Sequence, residues 1–211
     1  MKIGFDATPL IHPIGGIACY AKNLLKALLE LNSGDIFFGY IPLGTSSQLP
    51  WPTHEYGERL RWVEVSPRSL RHRGTTDQLD VYHGTNFKLQ TSGRCGTVLT
   101  IHDLWLDRHP EYSKKFFGQR LSFYRTRRRA RHANRIIADS HFTAAEIQEL
   151  YGIPAEKISV IHLGLTSDFF PDQDEAKFSE LRQRIGLPNL PYIFFVGGAD
   201  PRKNHRVLLQ A

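Results

Sequence analysis

The stretch that decides the fold is Lys2-Ile3-Gly4-Phe5-Asp6-Ala7-Thr8-Pro9-Leu10-Ile11-His12-Pro13-Ile14-Gly15-Gly16-Ile17-Ala18-Cys19-Tyr20-Ala21. Its first five residues are short and mostly apolar, as in a buried strand, and run into a loop holding Pro9, Pro13, Gly15 and Gly16. From Ile17 onward Ile17, Tyr20, Ala21, Leu24, Leu25 and Leu28 keep helical spacing, while Lys22, Lys26 and Glu30 fall on the opposite face. A strand, a glycine loop and an amphipathic helix in this order describe a helix packed on a sheet. The two glycines leave the backbone open to a ligand, and free helix N–H groups favour an anion such as a phosphate. The spacing is not the G-x-G-x-x-G of dinucleotide enzymes, and a plain strand-to-helix turn explains two glycines equally well.

Outward from this unit the same alternation continues. Strands are predicted over 36–41, 61–65, 80–83, 97–101, 135–138 and 158–161, with helices over 113–133 and 141–151. Ser140 is a natural N-cap for the latter, and Gly152 with Pro154 ends it. Residues 67–76 read as a basic loop with at most a helical turn. Alternating strands and helices call for a Rossmann-like, doubly wound parallel α/β sheet over residues 1–164. Residues 165–191 read as an interdomain connection with a short helix over 175–185. At 192–211 a strand (192–196), a Gly197-Gly198 loop and a helix begin a second, incomplete domain.

A hydrophobic fraction of 41% and a charged fraction of 23% exclude wholesale disorder. No run is long and apolar enough to cross a bilayer, and the N-terminus reads as a strand, not a signal peptide, so a cytoplasmic chain is expected. Cys19 and Cys95 form no metal-binding or redox spacing. The net charge of +6 favours anionic partners.

Ligands of open α/β sheets lie outside the carboxyl ends of the strands, which puts His102 and Asp103 at the crevice. A histidine there can hydrogen-bond a sugar hydroxyl, act as acid or base, or bind phosphate; capping the next loop is the plainer alternative. Asp80 and His83 bound the preceding strand and, with Asn86, are candidates to line the same cleft, with a purely structural role the favoured alternative. Arg202 and Lys203 open the last helix after a glycine loop, an arrangement suited to a diphosphate. Between Lys114 and Arg135 nine cations occur without an acidic residue, interleaved with Phe116, Phe117, Phe123 and Tyr124. Such a helix, through Arg125, Arg128 and Arg129, suits an anionic membrane surface; a solvated surface helix is the alternative, and no nucleic-acid motif accompanies it. The sequence has no H-E-x-x-H, Cys/His cluster, G-x-S-x-G elbow or Walker loop, so no metal site is expected, nor a hydrolase or NTPase of those kinds.

In order and spacing, six segments resemble the retaining glycosyltransferases of family 4, which have the two-domain GT-B fold. They are Gly15-Gly16-Ile17, Asp80-Val81-Tyr82-His83-Gly84, Val98-Leu99-Thr100-Ile101-His102-Asp103-Leu104, residues 133–143, residues 156–164 and residues 195–204. The resemblance implies that residues 1–164 bind the acceptor and that a nucleotide-sugar donor is held by the second domain. It further implies His102 as the catalytic residue facing the transferred sugar. Gly15 and Gly16 would approach the donor diphosphate, and Arg202 and Lys203 would hold it. On position alone, His83, Asn86 and Asp103 remain the acceptor-binding or cleft-lining candidates. Positive charge at the leaving group would replace a metal, so no cofactor is expected. Many members carry Arg where this chain has Gly198, and the acidic pair that contacts the donor would lie beyond Ala211. The expectation is thus the acceptor half of a hexosyltransferase acting on a glycolipid or polysaccharide, peripheral on the inner face of the cell membrane. A non-catalytic carbohydrate- or lipid-binding module is the alternative, and a dinucleotide oxidoreductase a remoter one.

Overall fold

The computed structural model describes residues 1–11, 15–31, 33–49, 56–66, 69–89, 94–112, 116–165, 174–188, 190–197 and 203–210. Its strands are β1 (Lys2–Asp6), β2 (Ile36–Pro42), β3 (Leu60–Val65), β4 (Val81–Gly84), β5 (Gly96–Ile101), β6 (Arg135–Ala138) and β7 (Ile158–Val160). They form one sheet in the order β3-β2-β1-β4-β5-β6-β7, with every pairing parallel. The order reverses between β1 and β4, as a doubly wound sheet requires. Its helices are α1 (Thr8–Ile11), α2 (Gly16–Glu30), α3 (Arg73–Thr76), α4 (Trp105–Arg108), α5 (Phe116–His132) and α6 (His141–Tyr151). The sheet belongs to the first of two compact units, Met1–Thr166; the second is Ser167–Ala211.

Each face of the sheet is covered by apolar side chains that the strands and helices supply together. Phe5, Phe37 and Ile41 of the strands pack with Leu10 and Ile11 of α1 and with Ala21, Leu25 and Leu29 of α2. The buried stripe of α2 is thus Ala18, Ala21, Leu25 and Leu29, rotated from the predicted one, with Leu24 and Leu28 only partly buried. Two alanines on the inner face let the helix lie close to the sheet. A second cluster joins Leu99, Ile101, Ile136 and Ala138 of β5 and β6 to Ala130 and Ala133 near the end of α5 and to Ile147 and Tyr151 of α6. Within the stretch read as a loop with at most a helical turn, residues 69–76 hold a 3-10 turn at Ser69–His72 and then α3, and two further helical turns, α1 and α4, lie where loops were expected.

The second unit contains α7 (Glu175–Arg184) and α8 (His205–Gln210). Asp174 caps α7 by accepting from the Ala176 and Lys177 N–H groups at 3.1 and 3.2 Å. The strand expected over 192–196 does not form: Ile193, Phe194 and Val196 are 82, 80 and 77% exposed, and no described residue pairs with them. A strand exists only when a neighbour takes up its backbone hydrogen bonds.

At α6 the local rules hold completely. The Ser140 Oγ accepts from the Thr143 N–H at 3.1 Å, and Gly152 ends the helix with φ 65° and ψ 42°, the left-handed conformation that favours glycine. Replacing Ser140 with alanine leaves that N–H without its acceptor and is expected to cost about 1 kcal/mol. Urea denaturation of the two chains checks this; unchanged midpoints would show the cap to be energetically silent.

Candidate active site at the carboxyl edge of the sheet

The candidate site is built where β1, β4, β5 and β6 end together. Asp6 closes β1 at 2% exposure, and its Oδ1 accepts from the Thr8 N–H at 3.1 Å, which starts α1. Burial raises this carboxyl above its usual range. Thr85, just past β4, is fully buried and donates its hydroxyl to the Asp6 carbonyl at 2.7 Å, tying the two strand ends across the reversal of strand order. Beyond β1, Gly15 stands at the N-cap of α2 with φ 96° and ψ 175°, a backbone conformation that side chains resist. A Cβ added at Gly15 or Gly16 would meet no atom of the described residues within 4 Å, which leaves room for a ligand to approach the backbone.

His102 follows directly on β5 and is held on both sides. Its Nδ1 lies 2.6 Å from Asp139 Oδ2, just past β6, and its Nε2 lies 2.9 Å from the Thr85 carbonyl. The ring also meets Tyr20 of α2 edge-on at 4.9 Å and Phe87 at 5.7 Å, and the His102 carbonyl accepts from the Thr143 hydroxyl at 3.1 Å. Tyr20 sits one turn past the glycines, so it ties the open start of α2 to His102. Beneath it runs a second chain: the Tyr20 hydroxyl lies 3.0 Å from Thr100 Oγ1, which lies 2.8 Å from His83 Nε2. His83, expected to line the cleft, is 7% exposed and packs edge-on against Phe5, under the edge instead of on it. Burial, and after it the nearby His102, pushes its imidazole down to about 4.

The remaining expected residues scatter. Asn86 is half-buried in the loop after β4, and Asp103 is exposed, with its Oδ1 accepting from the Trp105 N–H at 3.1 Å at the start of α4. Asp80 lies just before the start of β4 and so at the opposite edge, where its Oδ2 accepts from the Lys2 N–H at 2.7 Å; its candidacy for lining the cleft is corrected by strand direction. Lys203 is exposed in the second unit, and Arg202 and Gly198 lie outside the described residues. On α5, Arg125 and Arg128 are exposed and Arg129 is half-buried, while Lys114 and Lys115 lie outside the described residues. Arg127 and Arg131 donate to the Tyr151 carbonyl at the end of α6, so part of the basic run closes a helix terminus. Between α2 and the chain past β7 opens a groove of about 430 Å³, lined by Tyr20, Leu24, Ala27, Ile137 and Leu163 among others. No group of three His, Cys, Asp or Glu among the described residues is placed to hold a metal.

The chain matches known proteins in sequence and in fold. The family model described as Glycosyltransferase Family 4 matches residues 14–169. The chain belongs to glycosyltransferase family 4. It is 30% identical to the O-antigen chain mannosyltransferase B of Escherichia coli, over all of this chain and 59% of that protein. It is also 34% identical over 80 residues to the D-inositol 3-phosphate glycosyltransferase of Thermobispora bispora, 37% of this chain and 18% of that protein. The crystal structure of Anabaena HepE with UDP and glucose superposes with a TM-score of 0.63 at 17% identity, over all of this chain and 57% of that one. The same protein with UDP-glucose gives 0.59 over 90% of this chain. The HepE structures share the GT-B fold, and this family 4 chain spans 59% of the mannosyltransferase and 57 and 50% of the two HepE chains.

Four residues of the candidate site escaped the sequence reading as site members: Tyr20, Thr85, Thr100 and Asp139. Asp139 had a signal, since it ends a strand at the same edge by the rule that singled out His102; the two threonines and the tyrosine had none. The depressed His83 has a thermodynamic consequence. Its ordinary value is about 6.5, so between there and about 4 the unfolded chain takes up a proton that the folded chain refuses. Stability is therefore lost as pH falls through that window, by up to about 3 kcal/mol. Asp6 acts with the opposite sign at acid pH, so the effect is read as a difference between chains. His83→Gln is expected to flatten the slope of unfolding free energy between pH 7 and 4; an unaltered slope would mean that His83 titrates freely.

Proposed function

We propose that this chain is the acceptor-binding half of a retaining, metal-independent glycosyltransferase that moves a hexose from a nucleotide-sugar to a glycan or lipid-linked acceptor of a surface polysaccharide. The observation that carries this reading is the match of residues 14–169 to the family, with His102 fixed by Asp139 and packed against Tyr20, one turn past Gly16. The relative named for O-antigen chain mannosyl transfer and the structures titled with UDP, glucose and UDP-glucose support the donor and acceptor classes. Family membership gives the binding-module alternative no support.

In this reading the donor diphosphate approaches the N–H groups at the start of α2, a helix of 15 residues whose positive end favours it. Arg202 and Lys203 would neutralise the departing nucleoside diphosphate, supplying the charge that a metal supplies in other transferases. His102 would meet a hydroxyl of the transferred sugar, with Asn86 and Asp103 towards the acceptor. Tyr124, 60% exposed, stands beside Arg125 and Arg128 on the outer face of α5, while Thr126, Ala130 and Ala133 are buried. That face would rest on the anionic inner leaflet of the cell membrane; no helix among the described residues is long and apolar enough to cross one.

The test is transfer from a panel of nucleotide-sugars to lipid extract, by this chain beside one extended with a complete donor-binding half. Transfer by the extended chain alone is expected, and its product's anomeric configuration decides retention. His102→Ala in that chain is expected to lower turnover about a hundredfold or more with the fold intact. Near-normal turnover would remove His102 from the site. For the membrane face, Arg125, Arg128 and Arg129 changed together to Glu should weaken sedimentation with phosphatidylglycerol vesicles about a hundredfold or more; undiminished binding would assign α5 to solvent.

A further inference from the structure

The contacts of His102 constrain where its hydrogens are. Thr85 offers a carbonyl oxygen, which only accepts, so Nε2 must carry a hydrogen and donate it across the 2.9 Å contact. On the other side, Nδ1 and Asp139 Oδ2 lie 2.6 Å apart and share one hydrogen between them. The pair is shielded from water, with side chains 10 and 13% exposed. Asp139 is itself fixed from behind: its carbonyl accepts from His162 Nδ1 at 3.2 Å, and the next residue, Ser140, caps α6. Its second oxygen, Oδ1, is buried with no hydrogen-bond partner among the described residues, so there the carboxyl group's hydrogen bond goes to His102. Neither end of the ring exposes a lone pair.

We propose that Asp139 is the positioning residue of this site, gripping Nδ1 so that His102 presents Nε2–H as a hydrogen-bond donor and not as a base. The proposal rests on the reading of His102 as the residue that meets the transferred sugar, and it deepens that reading. A donor suits an oxygen that gains electron density, such as a sugar hydroxyl or the bridging oxygen to the diphosphate, and it takes no proton away in the transfer step. Tyr20 and Phe87, packed edge-on against the ring, confine its plane. The Thr85 carbonyl holds the Nε2 hydrogen in line until a ligand oxygen shares or replaces it.

Two measurements test this separately from the enzyme reading. The first is the two-bond 1H–15N spectrum of the imidazoles in this chain, with His102→Gln to assign the signal. A protonated Nε2 is expected, with a strongly hydrogen-bonded Nδ1 proton that is lost in Asp139→Ala and retained in part in Asp139→Asn, the variant to be read should Asp139→Ala fail to fold. A bare Nε2, or an Nδ1 signal indifferent to both substitutions, would overturn the proposal whatever the enzyme does. The second is turnover of the extended chain. Asp139→Asn is expected to lower kcat about ten- to a hundredfold with KM little changed, and to add nothing to His102→Ala. Equal losses in both backgrounds would show that Asp139 acts independently of His102. If His102→Ala left turnover normal while the spectrum kept the pairing, the catalytic reading would fall and the pairing would stand as structure alone.

Discussion

All seven strands run in the same direction, so all seven end at one edge, and whatever the chain places just past a strand is delivered to that edge. The reversal of order between β1 and β4 then opens a gap there, because the connections leave to opposite faces on either side of it. Asp6, Thr85, His102 and Asp139 are each one residue inside or outside a strand terminus. They come from four different strands and fall together for that reason. No loop had to be long to bring them into reach.

The edge is held by buried hydrogen bonds more than by apolar packing. Thr85 ties β4 to the β1 carbonyl, His102 ties β5 to both neighbours, and Thr100 joins Tyr20 of α2 to His83. Each bond is worth only about 1 kcal/mol net, but leaving any of these buried groups unpaired costs more. The network therefore specifies one arrangement of the strand ends more than it stabilises the fold. The apolar clusters on the two sides carry the stability, and they leave the edge itself free to be polar.

Much of this was legible in the chain. β1, β6 and α6 lie where local patterns put them, because alternation, an N-cap serine and a left-handed glycine are conditions satisfied within a few residues. His102 was legible because it follows a β-branched run, and Gly15 because only a glycine tolerates its φ of 96°. The expected strand at 192–196 was apolar enough but had no pairing partner, a condition that pattern alone does not test. His83 was placed at the right edge but on the wrong side of the surface, since residue order says nothing about depth.

The sequence by itself determined the parallel α/β class, the order of most elements, the six motifs of a family 4 glycosyltransferase and the positions of His102 and the glycine turn. Only the tertiary structure decided what touches His102. Asp139 is 37 residues away in sequence, Thr85 is 17, and Tyr20 reaches Thr100 across 80. Contacts over such separations depend on which strands become neighbours, and that is settled by packing of the whole sheet, not by any local run of residues.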